Sequence, residues 1–173
     1  MKWSINHENF NVLRQNQNPP NWIPPCVENS AQGGNFWQME KRFMSDPNNP
    51  LDWVTYAEED FDVAKIVLRR SKPLISPSCY HSQQCAEKYI KAMLVSKNVE
   101  FPKTQDLLAL NTLSHNAGIV TQFAQDSLDK LTAYTALAYE IPDVQITLEE
   151  AGEAIEIATT VRKFARTFLG LKK

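Results

Sequence analysis

Residues 80–94 read YHSQQCAEKYIKAML, and this stretch decides the fold. Because an α-helix turns about 100° per residue, its apolar side chains gather on one face. That face comprises Cys79, Ala86, Ile90, Met93 and Leu94. The pattern predicts an amphipathic helix that buries this face. Ser76 followed by Pro77 predicts its start, and Asn98 can adopt the left-handed conformation that ends it.

One polar residue, Gln83, lies within the apolar stripe of this helix. A buried amide without a partner costs about 1 to 3 kcal/mol, so Gln83 must be hydrogen-bonded. Glu87 lies one turn further along the helix and is a plausible partner, as is a neighbouring helix. We therefore expect Gln83 and Glu87 to be structural polar residues that connect helices.

The opposite face of the helix carries donors and cations, namely His81, Gln84, Lys88 and Lys91. Residues three and four positions apart are neighbours on a helix, so an anion or nucleotide would meet all four together. They form our candidate ligand-binding site, with the lysines as phosphate counter-charges and His81 or Gln84 as hydrogen-bonding groups. The alternative is an ordinary solvated or dimer-facing polar surface, which bundle helices normally have.

Helical periodicity and capping residues also mark the segments on either side of this helix. The predicted helices are bounded as follows: Asn49 to near Arg70, Pro77 to about Lys97, a short segment after Thr104, Val120 to before Pro142, and the capping box of Thr147 and Glu150 to Gly170. Strand-like alternation is absent from 51–173. We therefore predict an all-α, up-and-down bundle of four long helices plus one short helix.

Residues 1–48 differ in composition from the rest of the chain. They are rich in Asn and Pro and have no sustained period, which predicts an irregular N-terminal extension before a bundle domain of residues 49–173. Aromatic residues such as Trp3 and Trp22 leave open an arm that docks on a partner. Met39 and Met44 also leave open a later start of translation.

Composition and charge exclude several classes of protein. The chain has 173 residues, 43% of them hydrophobic, and a net charge of -2, which excludes wholesale disorder and a global basic field for nucleic acid. No apolar run approaches about eighteen residues, so we expect a cytoplasmic protein without membrane contact. The three cysteines, Cys26, Cys79 and Cys85, predict free thiols.

Other clusters of reactive side chains have simpler explanations. His81 and Cys85 lie one turn apart, but two ligands do not make a zinc site, so we expect no metal and no cofactor. The carboxylates of the first and last helices, which include Glu58 and Asp60, fit helix dipoles and solvated faces. The basic end of the last helix fits the same dipole rule, although it is also the densest positive patch for RNA or an acidic partner; it comprises Arg162, Lys163, Arg166, Lys172 and Lys173.

Residues 80–94 resemble the signature helix of HEPN domains, which are named for higher eukaryotes and prokaryotes nucleotide-binding. Segments 102–107, 134–143 and 148–164 are similar, in the same order, to other parts of that family. The resemblance covers roughly 51–170 and implies a helical bundle that commonly forms a homodimer. It also implies a frequent partner, a minimal nucleotidyltransferase in toxin–antitoxin modules.

Some HEPN domains are metal-independent ribonucleases, and these carry an Arg followed four to six residues later by a His. That pair is missing here, because Arg70 precedes His81 by eleven positions and no Arg stands in the forty residues before His115. Gln105 also stands where many relatives have His, and residues 139–143 lack the Arg that usually precedes the Pro-Asp turn.

These observations lead to one prediction with two alternatives. We predict a HEPN-domain protein without catalytic residues, which binds a nucleotide or RNA, or acts as the partner of a nucleotidyltransferase, in a toxin–antitoxin-like module. The first alternative is a divergent metal-independent ribonuclease toxin. The second alternative is a pure protein–protein assembly module.

Overall fold

A computed structural model describes residues 46–140 and 146–171. It contains five helices, which we number α1 (Pro50–Leu68), α2 (Ile75–Ser96), α3 (Leu107–Asn116), α4 (Gln125–Glu140) and α5 (Leu148–Phe168). No strand occurs in the described ranges, so the predicted all-α bundle of four long helices and one short helix is confirmed. Most of the predicted extension, 1–48, and residues 141–145 lie outside the described residues.

Local capping residues account for several helix ends. The Asn49 side chain accepts a hydrogen bond from the backbone N–H of Leu51 at 3.1 Å, and Thr147 and Glu150 form the predicted capping box. Beyond α2 and α5 the backbone turns left-handed at Asn98 (φ 55°) and Gly170 (φ 69°). These predicted ends are confirmed.

The predicted starts of α2 and α4 were wrong by a few residues. Helix α2 begins at Ile75 after Leu74, whose side chain provides no cap. Pro77 therefore lies inside the first turn, where a missing N–H leaves no hydrogen bond unmade. Helix α4 begins at Gln125 rather than at Val120, which is 77% exposed.

Helix α2 is the central element of the bundle. It contacts each of the other four helices, and its predicted apolar stripe is fully buried, from Cys79 to Leu94. Helix α5 packs against it with small side chains, Ala151, Ala154, Ala158 and Ala165, which are all 0% exposed. Small side chains let two helices approach closely, so α2 is enclosed along most of its length.

The thiols and the helix hydropathy complete the description. Cys79 and Cys85 are buried free thiols, as predicted, while Cys26 lies outside the described residues. Burial, with a smaller contribution from the Glu150 charge, raises the pKa of the Cys79 thiol to about 12.

Among the described helices, none has the length and hydropathy needed to cross a membrane.

Candidate functional site

The polar face of α2 lies mostly inside the protein. Lys91 is 0% exposed, Gln84 1% and Lys88 8%. The expectation that these three residues face solvent was therefore wrong. Because α2 is central, α1 covers the arc that a peripheral helix would leave to water. Only the fourth candidate of the face, His81, reaches the surface, with 30% of its side chain exposed.

Asp60 of α1 connects two of the candidates. One oxygen of its carboxylate, Oδ2, accepts a hydrogen bond from Lys88 Nζ at 2.7 Å. The other oxygen, Oδ1, lies 2.7 Å from His81 Nδ1. Lys88 Nζ also donates to Gln84 Oε1 at 2.9 Å. The lysine charge is thus compensated by a carboxylate that is itself only 14% exposed.

Amide and carboxylate groups continue the hydrogen bonds along α2. Gln84 Nε2 donates to Gln83 Oε1 at 2.8 Å, and Gln83 Nε2 donates to Glu87 Oε2 at 2.9 Å. Gln83 Nε2 also donates to the backbone carbonyl of Gln105 at 3.0 Å. Gln83 therefore connects α2 to the segment that precedes α3, and the amide that sequence placed in the apolar stripe has partners.

Lys91 ends this series of contacts in the core. Its ammonium group donates to Glu87 Oε1, and the two side chains are 0% and 1% exposed. Two rings surround the same ammonium group, with centroids 5.4 Å away for Trp53 and 5.9 Å for Phe101. Cation–π attraction adds to the ion pair in such a dry environment. We call the whole set the α1–α2 polar network; it comprises Asp60, His81, Gln83, Gln84, Glu87, Lys88 and Lys91.

A second charged group lies between α1 and α5. Glu58 accepts hydrogen bonds from Arg162 Nε at 2.9 Å, from Arg166 Nη1 and from the Tyr89 hydroxyl. The Arg162 guanidinium also lies over the Phe61 ring, 4.9 Å from its centroid. We call Glu58, Tyr89, Arg162 and Arg166 the arginine cluster. Its three charged side chains are each about a quarter exposed, 27%, 28% and 23%.

Opposing effects act on the carboxylate of the arginine cluster. Burial raises the pKa of Glu58, but the hydrogen bonds from Tyr89 and Arg162, the charge of Arg162 and the bond from Arg166 together lower it below the ordinary value. Both arginines of the predicted positive patch are thus turned toward a carboxylate. Lys163 of that patch is exposed, and Lys172 and Lys173 lie outside the described residues.

Sequence reasoning missed two members of these sites. It explained Asp60 and Glu58 by helix dipoles and solvated faces, whereas the structure pairs them with α2 and α5. The two carboxylates lie two residues apart, so their side chains point to different sides of α1. This spacing was the signal in the sequence that they contact different helices. Within 46–140 and 146–171, no three His, Cys, Asp or Glu side chains form a group that would hold a metal ion.

Comparisons with known proteins agree with this architecture. The family model described as "HEPN domain" matches residues 51–168, which include nearly all of the five helices. The protein described as "Putative toxin MJ1304", from Methanocaldococcus jannaschii, is 43% identical over 49 residues. That match covers 28% of this chain and 31% of the relative, so it spans about a third of the relative's length. No solved structure gives a significant match.

Proposed function

The chain belongs to the HEPN domain family, and from this premise we propose that it is a non-catalytic component of a toxin–antitoxin-like module that acts by binding a protein partner. The family model covers nearly all of the bundle. The matched relative carries the description "Putative toxin MJ1304", and this name supports a role of the same kind here. The resemblance to HEPN domains makes a minimal nucleotidyltransferase the expected partner and a homodimer the expected state of the chain.

The observation that carries this proposal is that the two lysines of α2 form ion pairs inside the protein. Lys88 is paired with Asp60 and Lys91 with Glu87, both in surroundings from which water is largely excluded. A phosphate would have to displace a buried carboxylate from its lysine, and an unpaired buried charge is costly. The two lysines are therefore poor phosphate counter-charges, which favours a protein partner over a nucleotide at this face.

Nucleotide or RNA binding is the second candidate function, and one observation favours it. His81 is partly exposed and hydrogen-bonded to Asp60, so the proposed four-residue site keeps one member at the surface. In this version His81 contacts the ligand, while Gln84, Lys88 and Lys91 support it from inside the protein.

Co-expression with a minimal nucleotidyltransferase from the same genome tests the main proposal. We expect a stable complex of defined mass by native mass spectrometry, with a higher melting temperature than either chain alone. ATP or short RNA should leave the melting temperature of the isolated chain unchanged. Failure to form any complex would contradict the protein-partner role, and a shift with ATP or RNA would favour the second candidate.

An RNA cleavage assay tests separately whether the protein lacks ribonuclease activity. We expect the purified chain to leave single-stranded RNA intact in the presence of a metal chelator. Metal-independent cleavage that is lost in His81→Ala but kept in a matched surface variant, His115→Ala, would instead establish the ribonuclease alternative.

A further inference from the structure

The hydrogen bond between His81 and Asp60 determines which ring nitrogen carries the proton. An ionised carboxylate can only accept hydrogen bonds, so Nδ1, which lies 2.7 Å from Asp60 Oδ1, must be the donor. In a neutral imidazole the other nitrogen, Nε2, then carries the lone pair. Nε2 lies on the far side of the ring from Asp60, on a side chain that is 30% exposed.

Asp60 is itself held in one orientation. Its second oxygen accepts from Lys88 at 2.7 Å, and Lys88 donates in turn to Gln84 at 2.9 Å. The side chains of Asp60 and Lys88 are only 14% and 11% exposed, so water competes little for these bonds. A carboxylate that is fixed from behind in this way orients a histidine ring and selects its tautomer, as in catalytic triads and metal sites.

The hydrogen bonds of this group indicate what it can bind. The carboxylate of Asp60 that faces His81 is already paired with the Lys88 ammonium, so this lysine charge is not free for an anion. The ring is also in edge-to-face contact with Tyr80, at 5.3 Å between centroids and 82° between planes. An imidazole whose Nδ1–H is held by a carboxylate presents Nε2 as a hydrogen-bond acceptor.

We infer that His81 Nε2 is a surface hydrogen-bond acceptor, positioned by the Asp60–Lys88 pair, and that it forms a binding site for an O–H or N–H donor of a ligand. The expected donor belongs to a protein partner, so the inference rests on the proposed function, but the His81 tautomer is measured in the isolated chain and can fail independently of that function. In this arrangement Asp60 and Lys88 are positioning residues, and Lys88 acts from inside the protein rather than on a phosphate.

The tautomer of His81 can be measured directly by ¹⁵N NMR of the full chain. We expect two-bond correlations typical of the Nδ1–H form for His81 at a pH where its ring is neutral. In Asp60→Ala the Nε2–H form should appear, and Lys88→Met should give an intermediate mixture. His115, whose Nε2 lies 2.5 Å from Thr121 Oγ1, serves as the internal control and should not change.

Two results would overturn the inference in this experiment. One is a wild-type His81 in the Nε2–H form, which needs no variant and so remains decisive if Asp60→Ala does not fold. The other is a folded Asp60→Ala protein whose His81 tautomer is the same as in the wild type.

A chemical probe tests whether the lone pair is accessible. Diethyl pyrocarbonate modifies unprotonated, accessible imidazole nitrogens, and we expect peptide mapping to show His81 modified at a rate comparable to that of the exposed His115. Inorganic phosphate at millimolar concentration should leave the His81 ¹⁵N shifts unchanged. Slow modification of His81, or its conversion to the doubly protonated form by phosphate, would contradict the proposed acceptor site.

Discussion

The α1–α2 polar network and the arginine cluster use the same chemistry at different depths. Each is built on one carboxylate of α1, Asp60 or Glu58, and each pairs it with cations of another helix. Lys91 and Glu87 of the network are 0% and 1% exposed, whereas the arginines of the cluster are about a quarter exposed. Water screens the cluster but not the core of the network, so similar ion pairs should differ greatly in what their removal costs.

The largest effect should follow from Lys91→Met. This change keeps much of the side-chain volume. It leaves the buried Glu87 carboxylate without the lysine cation that pairs with it. Breaking one side of a buried ion pair typically costs about 3 to 5 kcal/mol. Urea denaturation followed by circular dichroism should show a decrease of that size in the free energy of unfolding.

The double variant Glu87→Gln with Lys91→Met is the matched control for that measurement. It removes both charges, and a neutral amide can still accept and donate within the network, so most of the lost stability should return. If Lys91→Met alone lost less than about 1 kcal/mol, the Lys91–Glu87 pair would not be buried as described.

A smaller loss is expected for Gln83→Ala, which deletes the link between α2 and the segment before α3. The change removes hydrogen bonds to Glu87, to the Gln105 carbonyl and from the Gln84 amide, and each lost bond typically costs about 0.5 to 1.5 kcal/mol. Gln105→Ala is the control. Gln105 takes part through its backbone carbonyl, so replacing its side chain, on an exposed residue, should leave this hydrogen bond in place. Equal losses in the two variants, measured by thermal denaturation, would contradict the assigned contact.

Acid titration sharpens the description of the arginine cluster. The pKa of Glu58 is lowered in the folded protein, so the carboxylate stabilises the fold fully above its ordinary value of 4.5. That contribution is lost as the pH falls through the lowered folded pKa, because the unfolded chain then binds the proton first. Melting temperatures between about pH 6 and pH 3 should fall less steeply in Glu58→Gln than in the wild type. Parallel curves for the two proteins would show that Glu58 is not held by the arginines.

The smallest effect should come from Lys130→Ala at the surface. Lys130 Nζ lies 2.8 Å from Glu153, but the two side chains are 53% and 39% exposed. Exposed pairs contribute about 0 to 1 kcal/mol and are screened by salt. The difference in unfolding free energy between Lys130→Ala and the wild type should therefore vanish in about 1 M NaCl. A loss as large as that of Lys91→Met would undo the contrast between buried and exposed pairs.

The fold was largely predictable because its signals are local. The cap at Asn49, the capping box at Thr147 and the left-handed residues Asn98 and Gly170 each act within one helical turn. The candidate site was less predictable. Periodicity showed that α2 has a polar face, but it does not show how many neighbouring helices cover a helix, and α1 covers this one.

Sequence alone therefore determined the all-α class, most helix ends and the apolar stripe of α2, because each depends on residues a few positions apart. Only the tertiary structure decided the partners of the charged groups. Asp60 meets His81 and Lys88 across 21 and 28 residues, and Glu58 meets Arg162 across 104. Such pairs depend on how helices pack in space, which the periodicity of one helix does not specify. Packing placed the polar face of α2, which its sequence pattern assigns to solvent, in the interior of the bundle.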